Sequence, residues 1–185
     1  MNKIIIVLSF MCCAIFVQSC SLYNKISPKS PEVLIKKDFD GNGIAVLTFV
    51  KQGPSLAPDA GRIAADKLTD AMFIKGNFNV IDRARVNEAQ SILELATTEL
   101  LSADQIQRLG LKLKANFIVL GRVQSVSDQE YFDMNPQRQL YISFRIISVA
   151  NSEVIGVANY SSAYTDNNVL EKVTQMMNDI IGRMK

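Results

Sequence analysis

The chain has 185 residues, 48% of them apolar, and sets 20 Lys plus Arg against 18 Asp plus Glu for a net charge of +2. That composition supports one domain with a real core, and its near-balance, without a long run of one sign, excludes the clustered basic footprint of a nucleic-acid binder. Histidine is absent and Cys12, Cys13 and Cys20 all precede residue 21, which removes Ser-His-Asp and Cys-His catalysis, most zinc sites, and any disulfide or thiol nucleophile in the rest of the chain.

Residues 1–19 read as a targeting segment. Lys3 supplies a positive start, and Ile4 to Val17 is an apolar run broken only by Ser9. The run falls short of the roughly 20 apolar residues that cross a bilayer and suits the hydrophobic region of a secretory signal. The "VQSC" that closes it, Val17 to Cys20, resembles the lipobox of bacterial lipoproteins. Ser19 is the small residue before the cysteine and Val17 the aliphatic one three positions before it, while Gln18 is larger than the usual occupant. The resemblance implies cleavage before Cys20, acylation of its sulfur and acylation of its new amino group. Each buried CH₂ adds about 0.8 kcal/mol and one chain holds only marginally, so several chains make the anchor. A secreted protein with a coincidental cysteine is the alternative. Ser21 stands where an Asp, by analogy with enteric bacteria, retains lipoproteins in the inner membrane; the expectation is the outer membrane, with the domain facing the periplasm. Cys12 and Cys13 are then small apolar residues of the signal.

Residues 20–37 carry Pro28 and Pro31 without periodicity and read as a tether, leaving 38–185 as the domain. "DFDGNG", Asp38 to Gly43, matches the first half of a calcium loop, but position twelve is Phe49, in an apolar run, and flanking helices are lacking. It reads as a turn. Gly43 to Val50 is nearly continuous apolar sequence, which predicts a strand covered on both faces. A helix follows from about Ala60 to Ile74, with Ile63, Leu68, Met72 and Phe73 on its apolar side and Gly76 stopping it. "NFNVI" is a short strand. Asp82 caps a helix in which Val86, Ala89, Ile92 and Leu95 share a face, and Ser102 to Gln105 is a capping box for another. The charged stretch Asp82 to Gln90 reads as a solvated helix face. Ala115 to Val126 is a strand. The next alternates Leu140, Ile142, Phe144 and Ile146 on one face, and its partner returns after an Asn151-Ser152 turn. The last helix, from about Asp166 to Arg183, carries a stripe from Val169 to Ile181 that packs on the sheet or docks another subunit. The order β-α-β-α-α-β-β-β-α predicts an α/β fold, a mixed sheet of about five strands packed with about four helices.

"IAVLTF", then "AADKLTDAMFIKGNFNVIDRARVNEAQ", then "LGLKLKANFIVLGRVQSV" resemble the CsgG family of bacterial lipoproteins, to which LpoB-type activators of peptidoglycan synthases are related. The likeness covers Gly43 to Ser161, and its most specific part is "FNVIDR", Phe78 to Arg83. The hairpin "FRIISVANSEVIG" adds to it, with Asn151 positioned to replace the usual turn glycine. It implies a periplasmic domain that works by assembly or partner binding, with no cofactor. Pore-forming members resemble a barrel subunit with two spanning hairpins, which need roughly 40 residues. The corresponding segments, Ser127–Gln139 and Tyr160–Asn168, are too short, so such a barrel is not expected. The tether is likewise short for a synthase activator.

Three function classes follow. The leading one is a non-enzymatic, lipid-anchored interaction module of the envelope. The loop "QEYFDMN" offers Tyr131, Phe132 and Met134 as a partner contact, or as side chains that fold back on the sheet. The second is a soluble homo-oligomeric ring subunit of a curli-type secretion complex, with an LpoB-type synthase activator beside it. The third is an enzyme using Asp66 and Asp70, against which Lys67 makes a solvated charge face the simpler reading. No metal, cofactor or nucleic-acid partner is expected.

Overall fold

A computed structural model describes residues 30–53, 55–95, 100–127, 138–165 and 167–184. Its strands are β1 (Glu32–Ile35), β2 (Asn42–Val46), β3 (Val50–Gln52), β4 (Asn79–Val80), β5 (Phe117–Ser127), β6 (Arg138–Ser148) and β7 (Val154–Tyr164). Its helices are α1 (Ala60–Ala71), which runs into a π turn at Met72–Gly76, α2 (Arg83–Ile92), α3 (Ala103–Leu113) and α4 (Val169–Gly182). The α/β fold is as expected. The sheet has seven strands rather than about five, in the order β1-β7-β6-β5-β2-β4, with β3 also pairing β5.

The mixed character follows from the connections. Strands β2, β4 and β5 run parallel, joined by helices; β5, β6 and β7 form antiparallel hairpins, and β1 pairs antiparallel with β7. From β2 the chain crosses over through α1 to β4 on one side, then through α2 and α3 to β5 on the other. Right-handed crossovers in opposite directions put their helices on opposite faces. Strand β2 is therefore buried on both sides. Ile44 and Val46 enter the core under α1 and α4, while Ala45 and Leu47 enter the core under α2 and α3. In β6, Leu140, Ile142, Phe144 and Ile146 all line the first core, as their alternation predicted.

Two extra strands account for the count. The run Gly43–Val50 breaks at Leu47–Phe49 into β2 and β3, because α1 needs room: a Cβ on Gly61 would lie 2.0 Å from the Phe49 carbonyl oxygen, and the Phe49 N–H donates to the Gly61 carbonyl at 3.2 Å. Strand β1 lies inside the segment read as tether. Val33 and Ile35 pack against the core while Glu32 and Leu34 face out, an alternation hidden between Pro31 and Lys36-Lys37. The sheet domain thus begins before residue 38.

The caps hold. The Asp82 carboxylate accepts from the Ala84 N–H at 2.9 Å, and Ser102 and Gln105 form both bonds of the capping box. Some apolar expectations do not. Phe73, Ile92 and Leu170 are 66%, 54% and 54% exposed, since Met72, Ala89 and Val173 face the core in their place. At the β6–β7 turn the left-handed residue is Ser152, with φ 57°, and Asn151 instead accepts the Glu153 N–H at 3.2 Å. Tyr160 to Tyr164, read as an insert, completes β7. No described helix is long and apolar enough to cross a membrane.

Candidate functional site

Two places could host function on this scaffold: the crevice at the top of β2 and the open part of the sheet. The crevice is where open α/β sheets hold ligands, beyond the strand at which successive crossovers diverge. Here Arg83 fills it. The residue opens α2, directly after its Asp82 cap, and its side chain is 12% exposed. Nε donates to Asp66 Oδ1 at 3.0 Å and Nη2 to Thr48 Oγ1 at 3.0 Å. Nη1 donates to the Val46 carbonyl at the end of β2. One guanidinium thus ties the break in β2 to α1 and α2, using the fork geometry that only Arg offers. The reading of Asp82–Gln90 as a solvated face is corrected at this residue and at Gln90, which is buried; Arg85 and Glu88 do face solvent.

Asp66 and Asp70 are each engaged by cations. Asp66 is held by Arg62 at 3.1 Å and by Arg83, and Asp70 lies 3.5 Å from Lys67. No cluster of three or more metal-binding side chains occurs among the described residues. The turn reading of Asp38–Gly43 stands: Gly41 and Gly43 have φ of 73° and 65°, and Asp40 accepts the Asn42 N–H at 2.9 Å.

Helices α2 and α3 cover only part of their face, taking Ala45, Leu47, Ile118, Leu120 and Ile147. Beyond them no described helix covers the same face across β5, β6, β7 and β1. Register aligns Leu120, Arg145, Val157 and Leu34 in one row, and Arg122, Ser143, Asn159 and Glu32 in the next. A cavity of about 260 Å³ opens among Leu120, Arg122, Ser143, Arg145, Val157 and Asn159. Around it Leu34, Tyr141 and Val126 are 73%, 43% and 37% exposed. The sequence carried a signal for this face. Tyr141, Ser143 and Arg145 alternate with the core residues of β6, as in a strand wetted on one side.

On the opposite face Tyr160 donates to Asp179 Oδ2 of α4 at 3.2 Å. Burial, with the Asp179 charge and hydrogen bond behind it, raises the phenol above its ordinary range, and Arg183 opposes the shift.

Cys20, Tyr131, Phe132 and Met134 lie outside the described residues. The loop's flanks are described: Ser127 pairs with Arg138 at the tip of the β5–β6 hairpin. Strand β1 runs antiparallel to β7 from Glu32, opposite Asn159, to Ile35, opposite Gly156. The chain therefore enters β1 from the end of the sheet that carries this hairpin tip.

No protein-family model matches the chain, and no curated protein does. Solved structures do. A point variant of PelC from Paraburkholderia phytofirmans, a dodecamer, superposes at a TM-score of 0.55 and 14% identity over 85% of this chain and 99% of that one. Lipoprotein GNA1162 from Neisseria meningitidis gives 0.51 and 13% over 76% of this chain and 97% of that one. The LpoB C-terminal domain from Escherichia coli gives 0.48 and 12% over 66% and 83%. The likeness to PelC and GNA1162 is one of fold, spanning nearly the whole of each.

Proposed function

We propose that this chain is a lipid-anchored, non-enzymatic lipoprotein of the bacterial envelope, CsgG-like in type, whose sheet domain acts by binding proteins in assembly, transport or cell-wall regulation. The observation that carries the reading is the filled crevice. Where a fold of this kind would seat a ligand, Arg83 spends its donors on Val46, Thr48 and Asp66. Exposed apolar surface lies instead on a sheet face that no described helix covers, which suits a protein partner better than a small substrate. The absence of histidine supports the same reading, as does the fold shared with another lipoprotein. Cys20 is the acylated residue, the outer membrane the site of anchoring, and Tyr131, Phe132 and Met134 a partner contact. The dodecameric PelC supports assembly of several copies.

Two measurements test this. Labelled palmitate fed to producing cells is expected to mark the wild-type chain and not Cys20→Ser, which should leave the outer-membrane fraction. Capture from envelope membranes is expected to yield a partner that Tyr131→Ser/Phe132→Ser loses. Absence of label on the wild type removes the anchor, and unchanged capture removes the loop.

A further inference from the structure

Strand β1 forms one edge of the sheet. The Lys36 N–H donates to the Ile155 carbonyl at 2.8 Å, and an antiparallel ladder bonds at every second residue. Leu34 and Glu32, opposite Val157 and Asn159, therefore also turn their N–H and C=O groups to β7. Val33 and Ile35 turn theirs the other way, toward an edge that no described strand covers. The side chains divide by the same alternation. Val33 and Ile35 pack against the core, while Glu32, Leu34 and Lys36 face out, Leu34 at 73% exposure. Outward-turned backbone beside an exposed leucine is a template for one more strand. The opposite edge, β4, has only two residues.

We propose that β1 of one copy pairs antiparallel with β1 of a second copy of this chain, about a two-fold axis at Leu34. The inference rests on the interaction-module reading and names one contact for its assembly of several copies. Charge selects both the partner and the register. Outward-turned residues must meet outward-turned residues, so the register moves only in steps of two. Centred on Leu34, the pairing sets Val33 of each copy opposite Ile35 of the other, with four backbone hydrogen bonds between them. It sets Glu32 of each copy opposite Lys36 of the other. The two Leu34 side chains then meet on the outer face, where Cα atoms of a non-bonded pair lie about 4.5 Å apart. Opposite charges across two strands favour pairing and like charges oppose it. Centring on Ile35 instead would set Glu32 opposite Asp38, and centring on Val33 would set it opposite Leu34. Glu32 forms no ion pair among the described residues. Lys36 has Glu153 of its own chain at 3.9 Å, both side chains more than half exposed, and solvent keeps such a bridge weak. Lys37 falls opposite Pro31 and meets no charge. Pro31 has no N–H to offer and Lys37 belongs to a turn, so the ladder ends at these four bonds. Five residues per copy fall well short of the roughly 20–30 that each side of a stable interface supplies, and association is expected to depend on concentration. The two chains leave β1 in opposite directions, about 14 Å apart. Eleven residues before β1, reaching at most about 40 Å, let both anchors enter one membrane.

Light scattering on the full chain in detergent tests this across a concentration series. Wild type is expected to gain mass with concentration. Glu32→Lys and Lys36→Glu each set like charges opposite one another at both ends of the pair. Each is expected to raise the Kd roughly tenfold with an unchanged circular-dichroism spectrum. Glu32→Lys/Lys36→Glu in one chain restores opposite charges and should associate again. An equimolar mixture of the two single variants is the decisive sample. A pair made of one of each has opposite charges at both ends, so the mixture should gain mass at concentrations where each variant alone does not. Should a charge change disturb the fold, Leu34→Cys reads the register instead. It should give a reducible cross-linked dimer beyond any that Cys20 gives in wild type, and Glu32→Cys, about 14 Å from its counterpart, should not. A wild type monomeric at every concentration overturns the proposal, even where β1 takes up a strand of another protein. A single variant with wild-type association overturns it too, as does a mixture no heavier than its components or cross-linking at Glu32→Cys alone. Palmitate labelling and partner capture read the parent proposal separately, so either can fail alone.

Discussion

Replacing Arg83 with Ala should cost the fold far more than its place in a charged stretch suggests. The side chain is 12% exposed and reaches three acceptors. One is the carbonyl of Val46, a residue with no solvent exposure. A hydrogen bond to a charged group contributes about 1.5–3 kcal/mol, and a stranded buried acceptor costs about 1–3 kcal/mol. These overlap and do not add. The Asp66 share is small, because that carboxylate is 37% exposed and keeps Arg62, and solvent screens such pairs. The expected loss is about 2–4 kcal/mol, read as a lower urea midpoint at constant slope. Arg83→Lys should recover less than half, since one ammonium cannot span three directions. Asp66→Asn should cost only about 0.5–1 kcal/mol. If Arg83→Ala stays within about 0.5 kcal/mol of wild type, the guanidinium is not what joins β2, α1 and α2. If Asp66→Asn costs as much as Arg83→Ala, the ion pair carries the effect and the backbone grip is refuted.

Other outcomes follow from single contacts. Gly61→Ala would drive its Cβ against the Phe49 carbonyl, which cannot retreat without moving the β2–β3 break; a loss of about 2–3 kcal/mol is expected in thermal melts. Ser102→Ala removes the capping box of α3 and should cost about 1 kcal/mol, with urea midpoint as the readout. Met177→Ala empties a fully buried site on α4 and should cost about 2–5 kcal/mol in the same assay. Tyr160 has a raised folded pKa, so its contribution is intact below the ordinary tyrosine value near 10 and is lost as pH rises through the folded value. Tyr160→Phe should therefore flatten the alkaline fall in stability, and an unchanged slope above pH ~10 counts against the Asp179 contact.

How legible each element was depends on whether its signal is local. The capping box at Ser102 and the cap at Asp82 involve atoms three residues apart or fewer, so sequence alone located them. The double burial of β2 and the alternation of β6 also appear directly in residue order. Strand β1 was invisible because its stability is not local: four residues pair with β7, more than a hundred positions downstream. Arg83 was misread for the same reason. Nothing in "DRARVNEAQ" says that Val46 and Thr48, 37 and 35 residues earlier, will lie beside it. Yet the segment that carried the family resemblance, Phe78 to Arg83, proves to be a string of fold contacts. Phe78 meets Phe39 edge-on at 5.4 Å, Val80 and Ile81 pack on the cores, Asp82 caps α2, and Arg83 clamps β2. A motif of that kind transmits architecture and says nothing of chemistry.

The position of β1 changes what an anchor at Cys20 would allow. With β1 starting at Glu32, 11 residues separate Cys20 from the first described strand. A segment of that length reaches at most about 40 Å. A domain of this size is itself about 40 Å across, so an anchor at Cys20 would not let it clear the surface by more than its own width. The chain also enters β1 from the end of the sheet where Ser127 pairs with Arg138, and an anchor at Cys20 would turn that end of the sheet toward the membrane. Copies anchored this way would share a thin layer, and their encounters would become nearly two-dimensional. Weak contacts between anchored copies would then suffice to assemble them. Lengthening the leash with Gly-Ser repeats should weaken assembly on vesicles while leaving association in detergent unchanged, because only the first depends on effective concentration. Equal weakening in both would show that the inserted residues disturb β1 itself.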